Sequence, residues 1–354
     1  MIGWRKRLLL GVLSAVLGSA LLAPPAATAA PPACQDYSVP VLLGLLPQTM
    51  HGSLCAPPGA TTVQVLVHGG TYSGYYWDFP LQPEVYSYRR AANERGYATF
   101  TIDRIGYGQS SRPLSTLLTG VGHASTVHQV IQKLRAGQIG GTPFGKVLLT
   151  GHSLGSGTSI LEAATYHDVD GVLLTGVTHH LSASALLEVF TSGVYPAALD
   201  PKFGLAYEGY YTTVPGKRRD LFYGPHDDPA VIARDEQLKE PVSLTEVADL
   251  TTLAFTAPAS LNITAPVLIA NGTDDALFCQ GLLASDCASA ANLKAQEAPY
   301  YSPAACLRTF VLPGSGHNIA LTPDTARFRA AALDWADTFV GTDADKRPLP
   351  PAAC

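Results

Sequence analysis

Ser153 is the residue with the clearest chemistry. It stands in Gly151-His152-Ser153-Leu154-Gly155, after the apolar run Lys146–Thr150 and before a stretch of helical character from Ser156 to Tyr166. A strand that turns sharply into a helix holds its serine in a strained backbone conformation, and glycines two before and two after let strand and helix approach without a Cβ between them. The hydroxyl then projects above the sheet at a helix N-terminus, where unpaired N–H groups favour developing negative charge. A hydroxyl is a poor nucleophile until a base takes its proton. Imidazole, titrating near neutrality, can take that proton and return it, with a carboxylate fixing its tautomer. The chain has ten histidines. His317 stands apart by position, in Leu312-Pro313-Gly314-Ser315-Gly316-His317-Asn318 directly after the last apolar run, whereas His68, His152, His179 and His180 all come earlier.

These side chains need a scaffold. Val63–Val67, Ala98–Ile102, Lys146–Thr150, Gly171–Thr175, Pro266–Ala270 and Leu307–Leu312 are short, unalternating runs rich in aliphatic or β-branched residues, each bounded by Gly, Pro or Asp. Such runs suit parallel strands buried on both faces. Helices are expected over Val85–Arg95, Thr126–Ala136, Ser156–Tyr166 and Thr325–Val340. The alternation defines an α/β fold with a doubly wound, mostly parallel sheet, and Tyr37–Cys55 should add one or two antiparallel edge strands. From about Thr178 to Leu261 the alternation stops, in favour of aromatics, Pro and mixed charge. That length exceeds an ordinary loop, so a largely helical cap over the sheet's C-terminal edge is expected. The resulting organisation is a leader over residues 1–29, a core over 30–177, a cap over 178–261, a second core part over 262–341 and a tail over 342–354. Phe278–Ala305 reads as a smaller irregular insertion tied down by its cysteines.

With those motifs in place, residues 60–340 resemble the α/β-hydrolase superfamily, whose catalytic residues follow the order Ser, Asp, His. The resemblance implies a serine esterase or lipase-like enzyme on an α/β-hydrolase fold, with Ser153 as nucleophile and His317 as general base. Pro266–Ala270 followed by Asn271-Gly272-Thr273-Asp274-Asp275 is similar to the family's strand-Gly-x-x-Asp element, making Asp275 the acid and adjacent Asp274 its rival; the other would cap the following helix. The backbone N–H of Leu154, and a second from His68-Gly69-Gly70-Thr71, would form the oxyanion hole. Gly70 is the expected donor, with Thr71 as the neighbouring alternative. The aromatic cluster beyond it, Tyr72, Tyr75 and Trp77, is expected to line an apolar substrate pocket. Ile102-Asp103-Arg104-Ile105-Gly106-Tyr107-Gly108 resembles a family turn, and there Asp103 and Arg104 are read as structural. Gly140–Lys146 lacks the Ser or Thr and the following helix of a phosphate loop.

The first 29 residues have the three parts of a secretory signal: basic Arg5, Lys6 and Arg7, an apolar run from Leu8 to Ala23, and Ala27-Thr28-Ala29. Cleavage after Ala29 leaves 325 of 354 residues, and losing three basic residues takes the formal charge from −5 to −8. A nucleic-acid or anionic-membrane partner is thereby disfavoured. An exported chain with six cysteines reads as disulfide-bonded. Short loop closure favours Cys34–Cys55 and Cys279–Cys287, leaving Cys306 for Cys354. No Cys-x-x-Cys or His-Glu-x-x-His spacing is present, and neither metal nor cofactor is expected. The reading is a secreted, monomeric serine hydrolase acting on a small or lipid-like ester, without a stable membrane anchor. Lipase, thioesterase, amidase, carbon–carbon hydrolase and acyltransferase chemistry use the same triad, and a non-catalytic binding protein is the alternative from another class.

Overall fold

The computed structural model describes residues 1–2, 32–257 and 259–342. Packing groups the chain into Met1–Ala30, of which only Met1 and Ile2 are described, and Pro31–Cys354. The expected leader therefore lies outside the described residues, as does the tail from residue 343.

The first strands, β1 (Cys34–Leu43) and β2 (Leu46–Cys55), form an antiparallel hairpin whose ends are joined by the Cys34–Cys55 disulfide. Strand β3 (Thr62–Val67) follows, then two short helices, α1 (Pro83–Tyr86) and α2 (Tyr88–Glu94), in place of the single helix expected over Val85–Arg95. Ser87 breaks that helix. Its backbone is extended and its side chain accepts from the Arg90 N–H, which caps α2. Next come β4 (Ala98–Asp103), α3 (Gly120–Arg135), β5 (Lys146–His152), α4 (Leu154–Tyr166) and β6 (Gly171–Thr175). Helix α3 starts six residues before the expected Thr126. Thr119 accepts from the Gly122 N–H, and Asp249 accepts from that of Gly120 at 2.6 Å, so tertiary capping overrides two helix-weakening glycines.

Between β6 and the next sheet strand lie α5 (Ala183–Glu188), β7 (Val194–Pro196), β8 (Tyr211–Thr213), α6 (Arg218–Phe222), α7 (Pro229–Leu238) and α8 (Leu244–Leu250). This insertion is mostly helical, but β7 and β8 form a small antiparallel sheet that the sequence reading did not include. The fold returns with β9 (Val267–Gly272), α9 (Ala290–Glu297), β10 (Arg308–Leu312) and α10 (Thr325–Phe339). Cys279–Cys287 closes the second insertion. Cys306 is disulfide-bonded, and its expected partner Cys354 lies outside the described residues.

The eight-stranded sheet has the order β1-β2-β4-β3-β5-β6-β9-β10. The six strands from β4 to β10 run parallel, and β2 pairs antiparallel with β4. Strands β3 to β6 and β9 are buried along their whole length, so the sheet is covered on both faces, as their unalternating sequences require. No helix among the described residues is long and apolar enough to cross a membrane.

Candidate active site

Ser153 sits between β5 and α4 with φ 53° and ψ −121°, a conformation that costs an L-residue on the order of 1–3 kcal/mol. Its surroundings hold it there. The Ser153 N–H donates to the Thr175 carbonyl at 2.9 Å, and the Ser156 hydroxyl donates to the same oxygen, pinning the turn to the end of β6. A Cβ added at Gly155 would fall 2.3 Å from the Val67 carbonyl oxygen and 2.5 Å from that of His68. Backbone cannot yield as a side-chain tip can. Gly155→Ala is therefore expected to lose at least about 2 kcal/mol in urea unfolding, in the range of core overpacking; a loss below about 0.5 kcal/mol, the scatter of neutral surface changes, would contradict this packing.

His317 and Asp275, 42 residues apart, are brought together: His317 Nδ1 lies 2.9 Å from Asp275 Oδ2. Asp275 is fully buried, and its other oxygen accepts the N–H groups of Leu277 and Phe278. Asp274 is more exposed, and its side chain accepts from the Thr273 hydroxyl at 3.2 Å. The imidazole is walled by Phe278 and Phe222 and lies 4.8 Å, centroid to centroid, from His152. Ser153 and His317 both line one cavity of about 110 Å³. Among the described residues Ser153 Oγ makes no hydrogen bond; such contacts are commonly loose without substrate and tighten when it binds.

Gly70, Thr71, Tyr72 and Leu154 line the same cavity. Among the described residues, no acceptor within the chain takes up the backbone N–H of Gly70 or Leu154. The two segments meet closely, since a Cβ at Gly70 would fall 2.7 Å from a Leu154 methyl. The rest of the lining is mostly apolar: Leu186, Val189, Phe190, Val194, Leu221, Val242, Leu244 and Val247 of the insertion join Leu277 and Phe278, with Thr213 and Thr251 among them, and no Asp, Glu, Lys or Arg of the described residues contributes.

Of the three aromatics expected to line this pocket, Tyr72 does, and Tyr75 and Trp77 do not. Trp77 is wholly buried among Tyr76, Tyr88 and His152, while the Tyr75 hydroxyl is tied to Asp235 at 3.1 Å. Tyr75 lies within the short helical turn Gly74–Tyr76, and Trp77 follows it directly.

Two buried ion pairs bond to the loop; Arg104–Glu246 has one member in the insertion and Arg218–Asp235 has both. Arg104 donates to the carbonyls of His68 and Gly69 and pairs with Glu246 of α8, which also accepts from Tyr107. Burial opposes the Glu246 charge, yet Arg104 and then His123 hold its carboxyl well below the usual range. Arg218 donates to the Thr71 carbonyl and hydroxyl and makes two bonds, both 2.9 Å, with Asp235. Asp235 accepts in turn from Tyr72 and Tyr75, and the Arg218 guanidinium lies 4.3 Å over the Tyr72 ring. Asp103 has the structural place expected of it, accepting from the Gly74 and Gln109 N–H groups and pairing with His51.

Two buried histidines sit beside the loop as neutral rings. Burial, then the Arg104 charge, lowers His68 to about 3; burial, then His317, takes His152 well below its usual value. In the unfolded chain both have a pKa of about 6.5. The unfolded state then binds more protons below about pH 6.5, so stability falls as pH drops through that value toward 3. Each ring contributes up to about 1.4 kcal/mol per pH unit. Urea midpoints should decline from pH 7 to 5.5, less steeply in His68→Gln; equal slopes would contradict the assignment.

Residues 64–331 match the alpha/beta hydrolase family, and the chain belongs to it. No curated protein matches. Among solved structures the chain is similar to a thermophilic esterase from Thermogutta terrifontis, at 15% identity and a TM-score of 0.60, over 85% of this chain and 97% of that one. A bromoperoxidase from Bacillus anthracis is 18% identical, with a TM-score of 0.58 over 85% and 100% of the two chains. E-2-(acetamidomethylene)succinate hydrolase is 20% identical, with a TM-score of 0.54 over 86% and 100%. At these identities the likeness is one of fold.

Proposed function

We propose that the chain is a secreted serine hydrolase that cleaves a carboxylic ester through an acyl-enzyme on Ser153. The observation that carries this reading is the His317–Asp275 bond at 2.9 Å, at the edge of a cavity that the strained Ser153 also lines. With Nδ1–H donated to the carboxylate, His317 keeps a lone pair on Nε2, the tautomer a general base needs. Ser153 Oγ attacks the ester carbonyl as His317 takes its proton. The negative oxygen of the tetrahedral intermediate is met by the Gly70 N–H, from the loop after β3, and by that of Leu154 at the N-terminus of α4. His317 then returns the proton to the departing alcohol, and a water activated by the same imidazole releases the acid.

The uncharged lining favours an apolar acyl or alcohol portion over a charged one. Export is supported by the three-part leader in the sequence and by the disulfides. The experiment is a panel of nitrophenyl esters, triglycerides, polyesters and anilides given to the purified mature chain. Turnover of neutral esters, faster than of anilides or of esters of charged acids, is expected; no turnover of any ester by a folded sample would overturn the reading.

The acid is tested by a pair of substitutions. Asp275→Asn should lower kcat by about 10⁴-fold, by comparison with the loss of the orienting acid in other triads, and Asp274→Asn by less than about tenfold, as befits a residue without contact to the base. The reverse ranking would move the role to Asp274.

A further inference from the structure

On the face of the sheet that carries α3 and α4, a second group of functional side chains converges. His128 of α3, Glu162 of α4 and Asp168 just after α4 place one imidazole nitrogen and two carboxylate oxygens all within 4.8 Å of one another. Glu162 is fully buried, and neither of its oxygens has a hydrogen-bond partner; Asp168 Oδ1 is likewise buried and unpartnered. A buried carboxylate without a donor is costly unless it meets a positive charge or takes up a proton. Its nearest acidic neighbour is another carboxylate, so the two can bond directly only by sharing a proton.

We propose that His128, Glu162 and Asp168 bind a divalent transition cation of the zinc type. The donor set, one imidazole nitrogen and two carboxylate oxygens, suits zinc, while the imidazole makes calcium or magnesium a poor fit. Two ligands of one zinc ion lie at most about 4.2 Å apart, given metal–ligand distances near 2.1 Å, so side-chain shifts of under about 1 Å close the site. The surroundings already orient it. Tyr166 stacks on the His128 ring at 3.8 Å, and the Gln132 amide donates to Asp168 Oδ2 at 2.5 Å. His128 Nδ1 now lies 2.8 Å from Asp168 Oδ2; on binding, the cation takes the Nδ1 lone pair and the ring carries its proton on Nε2, so that a neutral imidazole is the ligand, and any proton held between the two carboxylates leaves to solvent. His128 is 26% exposed and provides the entry path and a position for water.

The site ties α3 to the later part of α4, where Glu162 is about 13.5 Å along the helix axis from Ser153 at 1.5 Å per residue. Its role is to brace the helix that presents the nucleophile, and none of its residues lines the cavity. Motif spacing could not reveal it, since two of the ligands are 34 residues apart and meet only by packing of α3 on α4. The inference does not depend on the esterase reading.

The test is calorimetric titration of chelator-treated protein with ZnCl₂, with the melting temperature followed in parallel. One zinc per chain and a higher Tm are expected, with binding weakened at least tenfold in Glu162→Gln, in line with loss of one ligand. His128→Ala, at a partly exposed position, should lose binding similarly and serves if the first variant does not fold. No zinc uptake by the wild-type chain, or undiminished uptake by either folded variant, would overturn the proposal and favour a shared proton between the two carboxylates.

Discussion

His317→Ala is expected to lower kcat for a neutral ester by about 10⁴-fold or more, with little change in KM, because it removes a proton acceptor used only on the way to the transition state. The fold should tolerate the change. Although His317 is 1% exposed, it borders the cavity, and its lost bond to Asp275 leaves a carboxylate that still accepts two backbone N–H groups. Steady-state kinetics with a nitrophenyl ester, alongside circular dichroism, provide the measurement. A loss under tenfold in a folded sample would remove His317 from the role of base.

The second large effect is on stability and lies in the cap. Asp235→Ala strips the fully buried Arg218 of its only carboxylate partner in α7 and leaves the hydroxyls of Tyr72 and Tyr75 without their acceptor. Removing one member of a buried pair costs about 3–5 kcal/mol, because the other charge stays behind uncompensated. Burial opposes the Arg218 charge, and Asp235 is the strongest of the groups that sustain it; a guanidinium keeps its proton in proteins, so in the variant it stays behind as a buried charge. Urea unfolding should show the loss. The double variant Arg218→Met/Asp235→Leu should recover much of it, since no charge is then buried. Because Arg218 also holds Thr71, the single variant should depress kcat as well. A loss below about 1 kcal/mol, the value of an exposed pair, would contradict the clamp.

The parts of this architecture that follow local rules were legible in the sequence. The buried strands appear as unbroken apolar runs because both faces of the sheet are covered, and the Ser153 turn is marked by glycines whose Cβ atoms would strike backbone. The placement of Asp275 rather than Asp274 beside His317 agrees with the strand-Gly-x-x-Asp spacing. What failed depended on tertiary context. Trp77 and Tyr75 are as aromatic as Tyr72, and residue type alone does not say which ring meets the cavity. Ser87 divides an expected helix because its side chain found a local N–H to cap. Arg218, Asp235 and Glu246 had no motif to announce them. They lie in a stretch whose mixed charge gives no sign of which charges pair, and their burial depends on how the insertion packs against the loop.

The central claim, that Ser153 is an activated nucleophile, is tested most directly by mass spectrometry after treatment with a fluorophosphonate. The account predicts one covalent adduct per chain, on the peptide containing Ser153, and none in Ser153→Ala or in protein unfolded before treatment. Folded wild-type protein that stays unmodified, or an adduct on another residue that persists in Ser153→Ala, would contradict it.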